Sequence, residues 1–172
     1  MSDGIVSNAR SGATPDRARC VRGNGTGEGF GDHAVAPPNQ YSELSADEVR
    51  DNYTGLIWER DGDASGLVDW QGAVSYCESL SLGGNDGWRL PSVRELATLV
   101  DEAEVAPSIN ETMFPNTHYG SRSDNWYWAS HAARNNDSAH WALNFDDGFT
   151  GFNAGADGQW NHWDLSYAKC VR

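Results

Sequence analysis

The stretch Gly87-Trp88-Arg89-Leu90-Pro91-Ser92-Val93-Arg94-Glu95-Leu96 constrains this chain more than any other. It sets a large aromatic, an apolar leucine and a stiff proline directly before a helix start. Ser92 and Glu95 have the S-x-x-E spacing of a capping box, and Pro91 and Leu96 stand where a hydrophobic staple would. Leu96, Leu99 and Val100 continue one apolar face, which predicts a helix over 93–102. A helix start alone carries no function. Its neighbours add information: an apolar segment with Tyr76-Cys77 before it, and a Trp-, Gly- and Asn-rich region ending in Cys170-Val171-Arg172 after it.

A first helix is predicted over 70–80. Asp69 can cap it, and Trp70, Ala73, Val74, Cys77 and Leu80 recur as one apolar stripe, so Cys77 faces the core. Upstream, residues 45–52 read as a short helix or turn, and residues 54–60 as a strand opened by Gly55. After residue 124 the period changes to two. Residues 126–130 form one predicted strand. Residues 140–145 form another, with Trp141, Leu143 and Phe145 alternating onto one face. Asp147-Gly148 is a hairpin turn returning through 149–153, and residues 165–171 read as a closing strand. Phe114-Pro115-Asn116-Thr117 pins the intervening loop to the core. The fold class is therefore α+β: two helices, then a meander of short antiparallel strands. Residues 41–172 read as one domain, and residues 1–40, rich in Gly, Ser, Pro and Asn, as an irregular segment.

Charge narrows the partners. With 12 Lys+Arg against 25 Asp+Glu the net charge is −13, and Lys169 is the single lysine. That field opposes polyanions, so no nucleic acid is expected. No apolar run is long enough for membrane insertion. Met1-Ser2-Asp3-Gly4 opens polar and is not a secretory leader, so either the sequence is truncated or export uses another route. Asp61-Gly62-Asp63-Ala64-Ser65-Gly66 begins like a calcium loop, but Gly72 stands where the twelfth-position Glu belongs. A calcium site completed by Asp69 and an acidic solvent turn are the two readings, and the turn is preferred. Arg17-Ala18-Arg19-Cys20-Val21-Arg22 echoes the C-terminal Tyr167-Ala168-Lys169-Cys170-Val171-Arg172. Either this is coincidence, or the same strand motif closes one domain upstream and another here, with residues 1–22 the remnant of a preceding repeat or a rearranged edge strand.

Seven motifs in order carry a resemblance. They are Asp51-Asn52-Tyr53-Thr54-Gly55-Leu56-Ile57-Trp58; Trp70-x-x-Ala73-x-x-Tyr76-Cys77; Gly87-Trp88-Arg89-Leu90-Pro91-Ser92-x-x-Glu95-Leu96; Phe114-Pro115-Asn116-Thr117; Tyr127-Trp128-Ala129-Ser130; Asn144-Phe145-x-x-Gly148; and Cys170-Val171-Arg172. Together, over about 45–172, they resemble the C-terminal domain family of the Legionella collagen-like adhesin. That family is similar to the C-type lectin fold, in the branch that also holds formylglycine-generating enzymes and the variable proteins of diversity-generating retroelements. The resemblance implies a disulfide between Cys77 on the first helix and Cys170 on the last strand, and hence an extracellular or cell-surface setting. Cys20 is then unpaired or linked to another chain.

The resemblance also implies a non-catalytic ligand-binding module for display or adhesion. Its late strands and loops would recognise a glycan or a protein, with sequence diversified by a retroelement as one form of it. On that surface the chain carries Asn135, Asn136, Asp137, His140, Asn153, Asp157, Gln159, Trp160, Asn161, His162 and Trp163. Flat aromatics beside amides and carboxylates suit sugars or a protein epitope. Trp126, Trp128 and Trp141 read as core, whereas exposure of Trp160 and Trp163 is open. The family's sulfated glycans fit poorly, because residues 124–172 hold Arg134, Lys169 and Arg172 against six acidic residues. Two other readings stand beside this one. An oligomeric structural head of a surface fibre is the first. A formylglycine-generating-type oxidase is the second, and it lacks a free cysteine pair once Cys77 and Cys170 are assigned. No metalloprotease, nucleophile-elbow or phosphate-loop motif is present, and His33, His118, His131, His140 and His162 are scattered, so no enzyme is expected.

Overall fold

The computed structural model describes residues 39–120, 125–133, 136–152 and 165–172, with the side chains at 133, 136 and 137 left aside. The described residues form two helices and two three-stranded antiparallel sheets, the α+β class expected. The first sheet holds β1 (Tyr41–Glu43), β2 (Glu48–Asp51) and β3 (Ile57–Glu59) in sequence order. Helices α1 (Trp70–Ser79) and α2 (Val93–Ala97) follow. Strands β4 (Trp126–Ala133), β5 (Asn136–Asn144) and β6 (Thr150–Phe152) make the second sheet, also in order.

Strand β2 corrects the helix or turn expected over 45–52. Val49 pairs with Trp58 of β3, and both side chains are fully buried. Asp51 then builds the turn to β3: its carboxylate accepts from the N–H groups of Tyr53 and Thr54 and from the Thr54 hydroxyl. Gly55, at φ +79°, returns its N–H to the Asp51 carbonyl. Cross-strand burial of one valine outweighs a local charge pattern that looks helical.

Helix α1 is capped by Asp69, whose carboxylate accepts from the Gly72 N–H, and it buries Ala73 and Cys77 as the stripe predicted. The capping box of α2 is complete: Ser92 Oγ accepts from the Glu95 N–H, and the Glu95 carboxylate accepts from the Ser92 N–H. Pro91 and Leu96 are both buried. The helix is shorter than the 93–102 expected. At Thr98 and Leu99 the N–H groups reach back three residues, to Glu95 and Leu96, and the Thr98 hydroxyl takes the Glu95 carbonyl. A side chain competing for a backbone carbonyl tightens and ends the last turn.

The second sheet is covered on both faces. Tyr127, Leu143 and Phe145 join Val49, Trp58, Leu96 and Phe114 in one buried cluster. Trp126, Trp128 and Ala142 join Ala73, Cys77, Trp88 and Cys170 in another. The closing strand expected over 165–171 is instead an extended segment making isolated bridges. Ser166 pairs with Val68, Tyr167 runs parallel to Tyr127, and Val171 pairs with both Trp58 and Arg89. The segment thus stitches first sheet, α2 approach and second sheet together. Cys77 and Cys170 are disulfide-bonded, as implied, with Cα atoms 5.4 Å apart.

Candidate functional site

Register decides where the expected ligand surface lies. In β5–β6, Leu143 pairs with Thr150 and Trp141 with Phe152, so β6 runs back toward the start of β5. Asn136 pairs with Ala133 at that same end. Strand β6 therefore points toward the end of the sheet where β4 turns into β5, and its last residue, Phe152, stands opposite Trp141, five residues along β5 from Asn136. Asn136 and Asp137 open β5 at that end, and residues 153–164 lie outside the described residues.

His140 is half-buried and stacks on the Trp70 indole of α1, ring centroids 3.9 Å apart and 14° from parallel. Trp70 is fixed by its own Nε1–H, which donates to the Ala129 carbonyl at 2.9 Å. Burial lowers the His140 pKa, favouring the neutral ring. On the opposite face Trp141 meets Phe152 edge to face at 5.2 Å, with Phe152 40% exposed. His131 is exposed beside Ser130, whose Oγ lies 3.0 Å from its Nδ1. Trp126 and Trp128 are core, as expected, and Trp141 packs half-buried against the core. Asn136 and Asp137 begin β5. Asn135, Asn153, Asp157, Gln159, Trp160, Asn161, His162 and Trp163 lie outside the described residues, as does Cys20.

The 61–66 turn is clamped rather than simply solvated. Gly62 is buried, its N–H donates to the Pro115 carbonyl, and its carbonyl accepts from the Tyr127 hydroxyl. Asp61 accepts from the Asp63 N–H and from Asn116, and Asp63 faces His118 Nε2 at 2.9 Å. Asp69, the ligand a calcium loop would add, caps α1 instead. Among the described residues, no three metal-ligating side chains of the His, Cys, Asp or Glu types converge.

Two features escaped the sequence. The first is a buried polar cluster beside the disulfide. Glu59, 2% exposed, accepts from the Tyr76 hydroxyl in a short hydrogen bond and from the Cys170 N–H. Burial raises its pKa, opposed by the Tyr76 bond and then the Lys169 charge. Lys169 is fully buried over the Phe114 ring, its Nζ donating to the Arg60 carbonyl. Burial pushes its pKa down to about 8 against the pull of Glu59 and Asp61. A lone lysine flanked by Ala and Cys was the available signal. The second is an open cleft of about 360 Å³ in the 101–112 loop, edged by Asp101, Glu104 and Glu111. No local pattern marks it, because it forms only where the chain turns at Ala106–Pro107.

No curated protein and no solved structure matches the chain. A family model does, the Lcl C-terminal domain, over residues 47–172. Its span takes in β2, both helices, the second sheet and the disulfide-bonded closing segment, and by this match the chain belongs to the Lcl C-terminal domain family.

Proposed function

We propose that residues 41–172 form a non-catalytic, adhesin-related ligand-binding module with a C-type lectin-like fold, acting outside the cell or at its surface. It presents the β4–β5 turn and the stretch after Phe152 to a glycan or protein ligand, with residues 1–40 an irregular lead-in. The observation that carries this reading is the register of β5 with β6, which directs β6 toward the end of the sheet where β5 begins. That sheet is a firm base, because its inner side chains are buried on both faces. Belonging to the Lcl C-terminal domain family supports the adhesin relation. A disulfide that persists only in an oxidising compartment supports the location. Retroelement diversification of the stretch between β6 and the closing segment is one form of this reading. The absence of catalysis rests on cysteine use: Cys77 and Cys170 are spent on each other, so an oxidase of the formylglycine-generating kind would have Cys20 alone.

The test is binding of the purified chain to a panel of neutral glycans, sulfated glycans and bacterial surface proteins, beside a Trp160→Ala/Trp163→Ala variant with unchanged melting. A neutral-glycan or protein hit that the variant loses at least tenfold is expected. Equal binding by both proteins would remove the site assignment.

A further inference from the structure

The two elements that the disulfide joins are also joined without sulfur. Glu59 of β3, 2% exposed, bonds to both of them. One of its carboxylate oxygens accepts from the hydroxyl of Tyr76, the residue before Cys77 in α1. The other accepts from the Cys170 N–H at 3.2 Å. The Glu59 N–H donates in turn to the Cys170 carbonyl at 2.9 Å. Cys170 is thus held at its N–H and at its carbonyl by one residue, and that residue is tied to the neighbour of Cys77. Lys169 adds a bond between the same two strands of chain, from its Nζ to the Arg60 carbonyl. Burial raises the Tyr76 pKa, so its hydroxyl stays a donor.

We propose that Glu59 is a positioning residue for the disulfide: it seats Cys170 against Cys77 in the reduced chain, so that this pair closes and stays closed. The force is the cost of leaving a buried carboxylate short of donors. Lifting Cys170 takes one of the two donors from the Glu59 side chain and the acceptor from its N–H. In so dry a site each of these bonds is stronger than in water. The disulfide keeps Cys170 in place once formed. In the reduced chain that work falls to Glu59 and to the main-chain bonds of Val171 with Arg89 and of Arg172 with Ile57. A seated Cys170 raises the effective concentration of one thiol at the other, and that concentration sets the exchange equilibrium. The oxidant is a small disulfide such as oxidised glutathione. One thiolate of the pair bonds to it and expels one glutathione thiolate. The second thiolate then attacks the protein sulfur of that mixed disulfide and expels the other, so two electrons pass to glutathione with the two protons the cysteines gave up. Coupling of this kind is reciprocal, so the disulfide strengthens the Glu59 bonds by the same factor.

The test is the equilibrium of the full chain with mixtures of reduced and oxidised glutathione, in a Cys20→Ser background so that one pair reacts. Alkylation followed by mass measurement reads the reduced share. Glu59→Gln keeps the side-chain shape but turns an amide N–H toward one of the two donors. It is expected to shift the equilibrium about fivefold to tenfold toward the reduced pair. Tyr76→Phe, which leaves the Cys170 bond in place, is expected to give a smaller shift in the same direction. Ser92→Ala, which removes the α2 cap instead, is expected to lower stability and leave the equilibrium unchanged. An equilibrium unmoved by Glu59→Gln would overturn the proposal, because the main-chain bonds would then seat Cys170 unaided. An equal shift in Ser92→Ala would overturn it as well, by reducing Glu59 to general stability. Should Glu59→Gln fail to fold, Tyr76→Phe decides, and no shift there overturns the proposal.

Discussion

Lys169 shows how one residue can oppose the fold that contains it. Its amine is fully buried with one carbonyl acceptor, and its pKa falls from 10.5 to about 8. Between those values the unfolded chain keeps the proton and the folded chain releases it. The unfolded state then binds more protons, so stability rises with pH through that window. The expected outcome is a chain whose unfolding free energy, relative to Lys169→Met, climbs by roughly 1 kcal/mol per pH unit between pH 8 and 9.5. Urea titrations on both proteins check it, in a Cys20→Ser background that removes thiol exchange. A flat difference would mean that Glu59 and Asp61 hold the ammonium charged. Tyr76 and Glu59 form the other half of this cluster; the sequence marks Tyr76 only as part of a motif and Glu59 not at all, because the two become partners only when β3 meets α1.

At the scale of elements, local chemistry was legible and distant pairing was not. The α1 stripe, the Asp69 cap, the capping box of α2 and the alternation in β5 all depend on residues within a few positions of each other, and all stand in the structure. Strand β2 and the bridged closing segment depend on partners far along the chain, such as Val49 with Trp58 and Val171 with Arg89, and were misread. For the site, residue types could nominate the 135–163 region. That β6 runs toward the start of β5 came only from register. The α2 start offers a direct measurement. Glu95 is lowered to about 2, first by the Arg89 hydrogen bonds and then by the Ser92 N–H. A depressed carboxyl stabilises above its unfolded value near 4.5, and that contribution is lost as pH falls toward 2. Ser92→Ala is expected to cost about 1 kcal/mol at neutral pH. Glu95→Gln should flatten the loss of stability between pH 4.5 and 2, and acid titration of the melting temperature reads both.

For the whole molecule, the disulfide ties α1 to a segment that itself contacts β3, the approach to α2 and β4. It closes a loop across a sequence separation of 93 residues. On the chain-entropy model such a loop is worth about 4–5 kcal/mol, an upper figure because the reduced unfolded chain keeps some structure. Both sulfurs are fully buried among Ala73, Trp88 and Trp128, so a reductant reaches them only after the closing segment lifts. Reduction should therefore be slow in native buffer and fast in mild denaturant. The reduced chain should unfold at lower urea, with a loss of about 2–5 kcal/mol. Because residues 166–171 serve both hydrophobic clusters, losing their anchor should weaken both together and keep the transition single. Far-ultraviolet circular dichroism and tryptophan fluorescence, followed through urea with and without reductant, read this directly. Coincident curves shifted to lower urea are the expected result. Curves that separate on reduction would show that the first sheet and the second fold as independent units, with the closing segment merely bridging them.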